Sequence, residues 1–280
     1  MNVTAMAIDR KVARHYGRDD LAATILGALE AAGRDTSRLT VEDLAPVDEF
    51  HIRGRQATAE LASGLGLGPG MRVLDVGCGI GGPSRYVAAT YECHVVGIDL
   101  TEEYCRVAAL LADRVGIGDR VEYRQGNALA TTLADASFDA AYTQHVAMNI
   151  EDKAALYAEV ARVLKPGARF GIHDLLQGEG GEVLYPVPWA RDASISFLVG
   201  PTELRYLLES AGFGISSWRE TVGEARLWVD QMKARMAERV PPPTALRLLL
   251  GEDAKPMAQN IFRNLLEGRV VPTEVICRKS

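Results

Sequence analysis

Five residues of strand character, Arg72-Val73-Leu74-Asp75-Val76, run directly into Gly77-Cys78-Gly79-Ile80-Gly81-Gly82, and a helix-like stretch, Pro83–Thr90, follows. A buried strand that turns through glycines into a helix limits the fold more than any other feature of this chain. Glycine reaches positive φ at no steric cost and leaves room for a ligand against the backbone. The helix that follows begins with N–H groups that have no partner inside it. The alternation continues downstream. Strand-like runs at His94–Asp99, Arg120–Gln125, Phe138–Thr143 and Arg169–Leu175 are separated by helix-like stretches at Glu102–Val115 and Lys153–Leu164, and Thr202–Ala211 adds another helix. Short apolar runs spaced by helices predict an α/β fold with a parallel sheet wound on both faces. Two further strands are expected at Ile215–Val222 and Val270–Arg278.

The rest of the chain reads as additions to that core. Residues 3–32 have helical spacing, 33–50 are broken by Gly33 and Pro46, and Arg55–Leu65 predicts another helix. A helical insertion is expected over 224–267, marked by a break at Pro241-Pro242-Pro243. The expected division is an N-terminal helical cap at 1–65, a ligand-binding core at 66–223, a helical lid at 224–267 and a final core strand at 268–280. Both additions are expected to cover the ligand cleft.

Composition narrows the partners. With 280 residues, 48% of them hydrophobic, the chain can bury a large core, and its net charge of −6 offers no general attraction to nucleic acid or anionic lipid. No stretch approaches the ~18 uninterrupted apolar residues of a membrane span. Cys78, Cys93, Cys105 and Cys277 lack metal-binding spacing, and residues 1–17 carry charges instead of an apolar signal core. The expectation is a cytoplasmic protein with reduced thiols, no metal, no nucleic-acid partner and no membrane segment. Oligomeric state is not readable.

The glycine turn alone is ambiguous, because Gly77, Gly79 and Gly82 also satisfy the GxGxxG spacing of dinucleotide sites. Asp75 decides between them. A carboxylate beside the turn repels a pyrophosphate but favours a cation, such as the sulfonium and ammonium of S-adenosylmethionine. Asp99 ends the next strand, where an acidic side chain can accept from a ribose diol. The same carboxylate can instead cap the helix that starts at Thr101-Glu102.

Five segments, Val73–Gly82, Gly97–Leu100, Gly126-Asn127-Ala128, Ser137-Phe138-Asp139 and Arg162-Val163-Leu164-Lys165-Pro166-Gly167, resemble the class I S-adenosylmethionine-dependent methyltransferases in order and spacing. The resemblance implies a Rossmann-like seven-stranded sheet whose last strand is antiparallel and inserted beside the fifth. It implies cofactor contacts from Asp75, Gly77, Cys78 and Gly79 at the methionine end, Asp99 at the ribose, and Leu100, Asn127 and Ala128 at the adenine. Relatives often carry an acidic residue where this chain has Asn127. Asp48–Arg55, Gln144–Asn149 and Tyr185–Ala190 further resemble the small-molecule branch that contains sarcosine and dimethylglycine N-methyltransferases, although the frequent Gly-Gly pair is Arg53-Gly54 here. This closer resemblance implies His51 and Gln144 at the cofactor and Tyr16 reaching the reacting centre.

Methyl transfer needs alignment above all, and a base only when the acceptor holds its proton at neutral pH. His145, after the fourth strand, is the first candidate for base or acceptor contact; His173, near the end of the fifth, is the second. Asn149 and Trp189 are candidate acceptor contacts. The leading expectation is N-methylation of a small amine, with release of S-adenosylhomocysteine. O- and C-methylation, a nicotinamide-dependent oxidoreductase and a non-catalytic S-adenosylmethionine-binding protein are the alternatives.

Overall fold

Strands buried on both faces need apolar side chains at nearly every position, and the central runs of this chain supply them. In the computed structural model, which describes residues 3–16, 20–237 and 250–280, β1 (Arg72–Val76) is buried from Val73 onward, and β2 (His94–Asp99) from Val95 to Ile98. With β3 (Val121–Gln125), β4 (Phe138–Gln144), β5 (Leu164–Gln177), β6 (Phe213–Glu220) and β7 (Val270–Lys279) they form one sheet of order β3-β2-β1-β4-β5-β7-β6. Strands β1 to β5 pair in parallel; β7 is antiparallel to both β5 and β6. The expected topology is therefore present. The register aligns Val76 with Ile98 and with Thr143, and Gln144 with His173, so the carboxyl ends of β1, β2, β4 and β5 open on one cleft.

Helices cover both faces: α1 (Val3–Tyr16), α2 (Leu21–Ala31), α3 (Val41–Asp48), α4 (Arg55–Gly64), α5 (Gly82–Tyr91), α6 (Glu102–Val115), α7 (Lys153–Val163), α8 (Pro201–Ser210), α9 (Val222–Ala237) and α10 (Ala254–Leu266). The single helix expected over 3–32 is two helices, with Asp20 in the left-handed region at the start of α2. Pro46 does not break its segment either. It lies inside α3, where a capping box between Thr40 and Asp43 and the burial of Leu44 and Val47 outweigh the missing amide donor. Lys165-Pro166-Gly167 belongs to the start of β5, and a register shift between Phe138 and Ala140 accommodates it.

The two helical additions pack through two apolar clusters, and α10 contributes to both. Leu21, Ile25 and Leu29 of α2 and Leu44 of α3 meet Val107 and Leu111 of α6 and Met257 of α10. Ala225 and Val229 of α9 and Ile261 and Leu265 of α10 meet Leu175, Val187 and Trp189. The proline run at 241–243 lies outside the described residues. Among the described residues no helix is long and apolar enough to cross a membrane.

Candidate active site

The turn after β1 is tied to the end of β2: the amides of Gly77 and Cys78 both donate to Ile98 O, at 2.8 and 3.0 Å. The glycines serve different needs. A Cβ on Gly77 would lie 2.3 Å from Val146 Cγ2, one on Gly81 2.4 Å from Tyr123 Oη, and one on Gly82 2.4 Å from Asp48 O. Those three are glycine because protein fills the space. Gly79, at φ 53, faces only the Phe50 ring at 3.8 Å and is the turn position with room beside it. Cys78 packs its side chain against Gly97, and burial pushes its thiol up.

Asp75 is buried and accepts from Ser84 Oγ at 2.6 Å and Tyr142 Oη at 2.9 Å, both on Oδ2. Burial raises its pKa to about 7, against the pull of those two donors. Asp99 accepts from Gly79 N at 2.9 Å and from Thr101 N at 2.8 Å. It thus steadies both the glycine turn and the start of α6, and it lines the cavity. Asn127 uses Oδ1 to accept from Leu129 N and Nδ2 to donate to Asp9 Oδ2 of α1, at 2.8 Å. Leu100 and Ala128 line the same cavity as Asp75, Asp99 and Asn127.

Three histidines meet where β4 and β5 end. Ring centroids lie 5.0 Å apart for His145 and His173, 5.6 Å for His51 and His173, and 5.9 Å for His51 and His145. They are not equivalent. His51 Nε2 lies 3.0–3.1 Å from Gly54 O, Thr58 Oγ1 and Gln144 Nε2, and burial lowers its pKa to about 4. Gln144 is thereby spent on His51 and Thr58, although it borders the cavity. His145 lines the cavity with Nε2 buried and without a partner. Its backbone sits in the left-handed region at φ 54, pinned by its amide donating to His173 O at 2.8 Å. Burial, and then His51, hold its pKa well below the ordinary 6.5. His173 is placed differently from expectation. It is 1% exposed, has two unpartnered ring nitrogens and lies behind His145 and His51, not on the cavity wall. Its neighbour Asp174 accepts from Ala147 N and so shapes the loop after β4.

Tyr16 reaches the cavity, and its hydroxyl donates to Asn149 Oδ1 at 3.0 Å. Asn149 donates to Trp189 O and Ile195 O, which uses up its amide; Trp189 Nε1 donates to Ser196 Oγ. These residues border the cavity but spend their polar groups on each other and on the backbone. Other lining residues were not singled out from the sequence. Arg53 is buried at φ 71, bonds Glu60 through Nη2 and leaves Nη1 without a partner; its only signal was the departure from Gly-Gly. Trp228, Met232, Ile261 and Phe262 come from α9 and α10, where helical periodicity does not say which face meets a ligand. Among the described residues no cluster of His, Cys, Asp and Glu is arranged to hold a metal ion.

Comparison with known proteins agrees with this geometry. Residues 74–172 match the family model described as a methyltransferase domain. The chain is 38% identical over 116 residues to sterol 24-C-methyltransferase ERG6B of Gibberella zeae, which covers 41% of this chain and 30% of that protein. It is 39% identical over 127 residues to a phosphoethanolamine N-methyltransferase of Triticum aestivum, covering 45% and 25%. The matched stretch thus spans about a third or less of these relatives. The fold matches that of geranyl diphosphate C-methyltransferase from Streptomyces coelicolor A3(2) with a TM-score of 0.71 at 16% identity, over all of both chains. Residues 74–172, with the glycine turn in register with the neighbouring strands, are thus similar to a methyltransferase domain, on a sheet of matching fold.

Proposed function

We propose that this chain methylates a small molecule held at the carboxyl ends of β4 and β5, and that His145 takes the acceptor's proton. The observation that carries the reading is His145, a residue that lines the cavity and whose buried Nε2 has no partner in the protein. S-adenosylmethionine supplies, when bound, a methyl group on a cationic sulfur and leaves as neutral S-adenosylhomocysteine.

The residues present suit that cofactor. Gly79 leaves room beside the turn, Asp99 brings a carboxylate to the end of β2 where hydroxyls would bind, and Asp75 brings a second carboxylate beside the turn, suited to a cation. Leu100, Asn127 and Ala128 flank the end where an adenine fits. Helix α1 spans this region, with Asp9 on Asn127 and Tyr16 on Asn149, which supports its reading as a lid, and α9 and α10 make the matching lid over the acceptor.

Among acceptors, a hydroxyl is favoured. The O–C bond to the methyl forms as the C–S bond breaks, and the hydroxyl proton passes to the His145 imidazole. Burial lowers its pKa, so the imidazole is neutral at neutral pH. An ammonium acceptor would need a free carboxylate beside it. On the side of α9 and α10, the one carboxylate among the described lining residues is Glu252, which is exposed on the rim. Transfer to a neutral amine is the second reading, supported by the similarity to the wheat N-methyltransferase.

The test counts S-adenosylhomocysteine formed from panels of phenols, alcohols and amines. His145→Ala should cost turnover of a hydroxyl acceptor roughly 100-fold or more, the usual size of general-base catalysis, while denting that of a neutral amine. An unchanged rate with every acceptor would remove His145 from the mechanism.

A further inference from the structure

The cavity has a volume of about 1350 Å³. One drug-sized ligand occupies a pocket of ~300–1,000 Å³, so this space exceeds the needs of a single bound molecule. The part bordered by the glycine turn, Asp99 and Asn127 is polar. The remainder, beyond His145, is bounded by Met148, Leu175, Trp189, Trp228, Ile261 and Phe262. Trp228 and Phe262 meet edge to face, with ring centroids 5.9 Å apart.

Charge is arranged to keep this lobe neutral. Of the charged side chains that line the cavity, Arg55 pairs with Glu49, Arg53 with Glu60 and Asp48 with Arg85, all on the side of α3–α5. On the side of α9 and α10 only Glu252 and Lys255 are charged among the described lining residues, and both are exposed at the rim. Asn149, Tyr16 and the Trp189 indole have spent their polar groups on protein partners. A carboxylate, phosphate or ammonium carried into such a lobe would lose its water without gaining a partner, which costs several kcal/mol by order of magnitude. An apolar skeleton instead gains ~25 cal/mol for each Å² it buries.

We infer that the acceptor is a bulky, uncharged, largely apolar molecule that presents one hydroxyl to His145. Its skeleton fills the lobe between Trp189 and α9–α10. This rests on the methyltransferase reading of the same site and sets the acceptor class apart from small zwitterions and phosphorylated amines.

The test uses the full chain loaded with S-adenosylhomocysteine and the neutral, polarity-sensitive dye Nile red. Expected is saturable uptake of one dye per chain with a blue-shifted emission, displaced by uncharged polycyclic phenols and at least ten times less well by the same phenols carrying a sulfonate. Ala258 lines the cavity from α10; Ala258→Trp, which fills the lobe there, should abolish uptake and leave the affinity for S-adenosylhomocysteine within about twofold. Absence of dye uptake while S-adenosylhomocysteine binds normally overturns the inference. So does equal displacement by the sulfonated compounds, or uptake that Ala258→Trp does not change. Failure to bind S-adenosylhomocysteine at all would instead count against the methyltransferase reading.

Discussion

The two halves of the cavity are built on different principles. The half beside β1 and β2 is made of backbone: amides of Gly77 and Cys78 on Ile98 O, and the amides of Gly79 and Thr101 on Asp99, all within one βαβ unit. The half beyond β4 and β5 is made of apolar side chains from α1, the loop after β5, α9 and α10, residues as far apart in sequence as Val12 and Phe262. Backbone geometry tolerates almost no change, because each glycine or carboxylate has one conformation that works. An apolar lobe tolerates exchange of volume between neighbours. The contrast explains how one cofactor site can serve many acceptors: specificity lies in the half whose chemistry is cheapest to alter.

The largest expected effect attacks the rigid half. Gly77→Ala must place a methyl 2.3 Å from Val146 Cγ2 on a backbone at φ 74, so either the turn or the loop after β4 moves. Cofactor binding should fall below detection by calorimetry, whereas an alanine at Gly223, where nothing lies within 4 Å, should leave it intact. Retained affinity in Gly77→Ala would mean that the turn is as forgiving as the lobe. A smaller loss is expected from Asp99→Ala. Hydrogen bonds to a charged group contribute ~1.5–3 kcal/mol, so affinity for S-adenosylmethionine should drop about tenfold to a hundredfold with a folded protein by circular dichroism. If affinity persists, Asp99 only braces the turn and α6.

These halves also differ in how far the sequence reveals them. β1, β2 and α6 have the bounds expected from residue pattern alone, because strand burial and helix caps are local properties. Asp75 and Asp99 follow from the same pattern, since both sit at strand ends beside the turn. Its glycines were less legible: Gly77, Gly81 and Gly82 answer to Val146, Tyr123 and Asp48, contacts made across the fold. His173 ranked second to His145 in sequence, but the fold puts His145, bent at φ 54, on the cavity wall and leaves His173 off it. Trp228 and Phe262 were invisible as site residues because amphipathic spacing marks a buried face without saying whether protein or ligand covers it. Arg53 was visible only as a departure from its relatives, and its unpartnered nitrogen needs coordinates to be seen.

The most direct measurement is calorimetric titration of the purified chain with S-adenosylmethionine, S-adenosylhomocysteine and NADH at pH values on both sides of 7. Asp75 carries a proton for much of the time below about pH 7, and a bound cation favours its ionised form, so binding there must expel that proton. The predicted result is binding of both sulfur nucleosides and not of NADH. The affinity for S-adenosylmethionine should rise with pH up to about 7 and then level off, and S-adenosylhomocysteine, which lacks the sulfonium charge, should vary less. Tight binding of NADH with no response to either sulfur nucleoside would contradict the account.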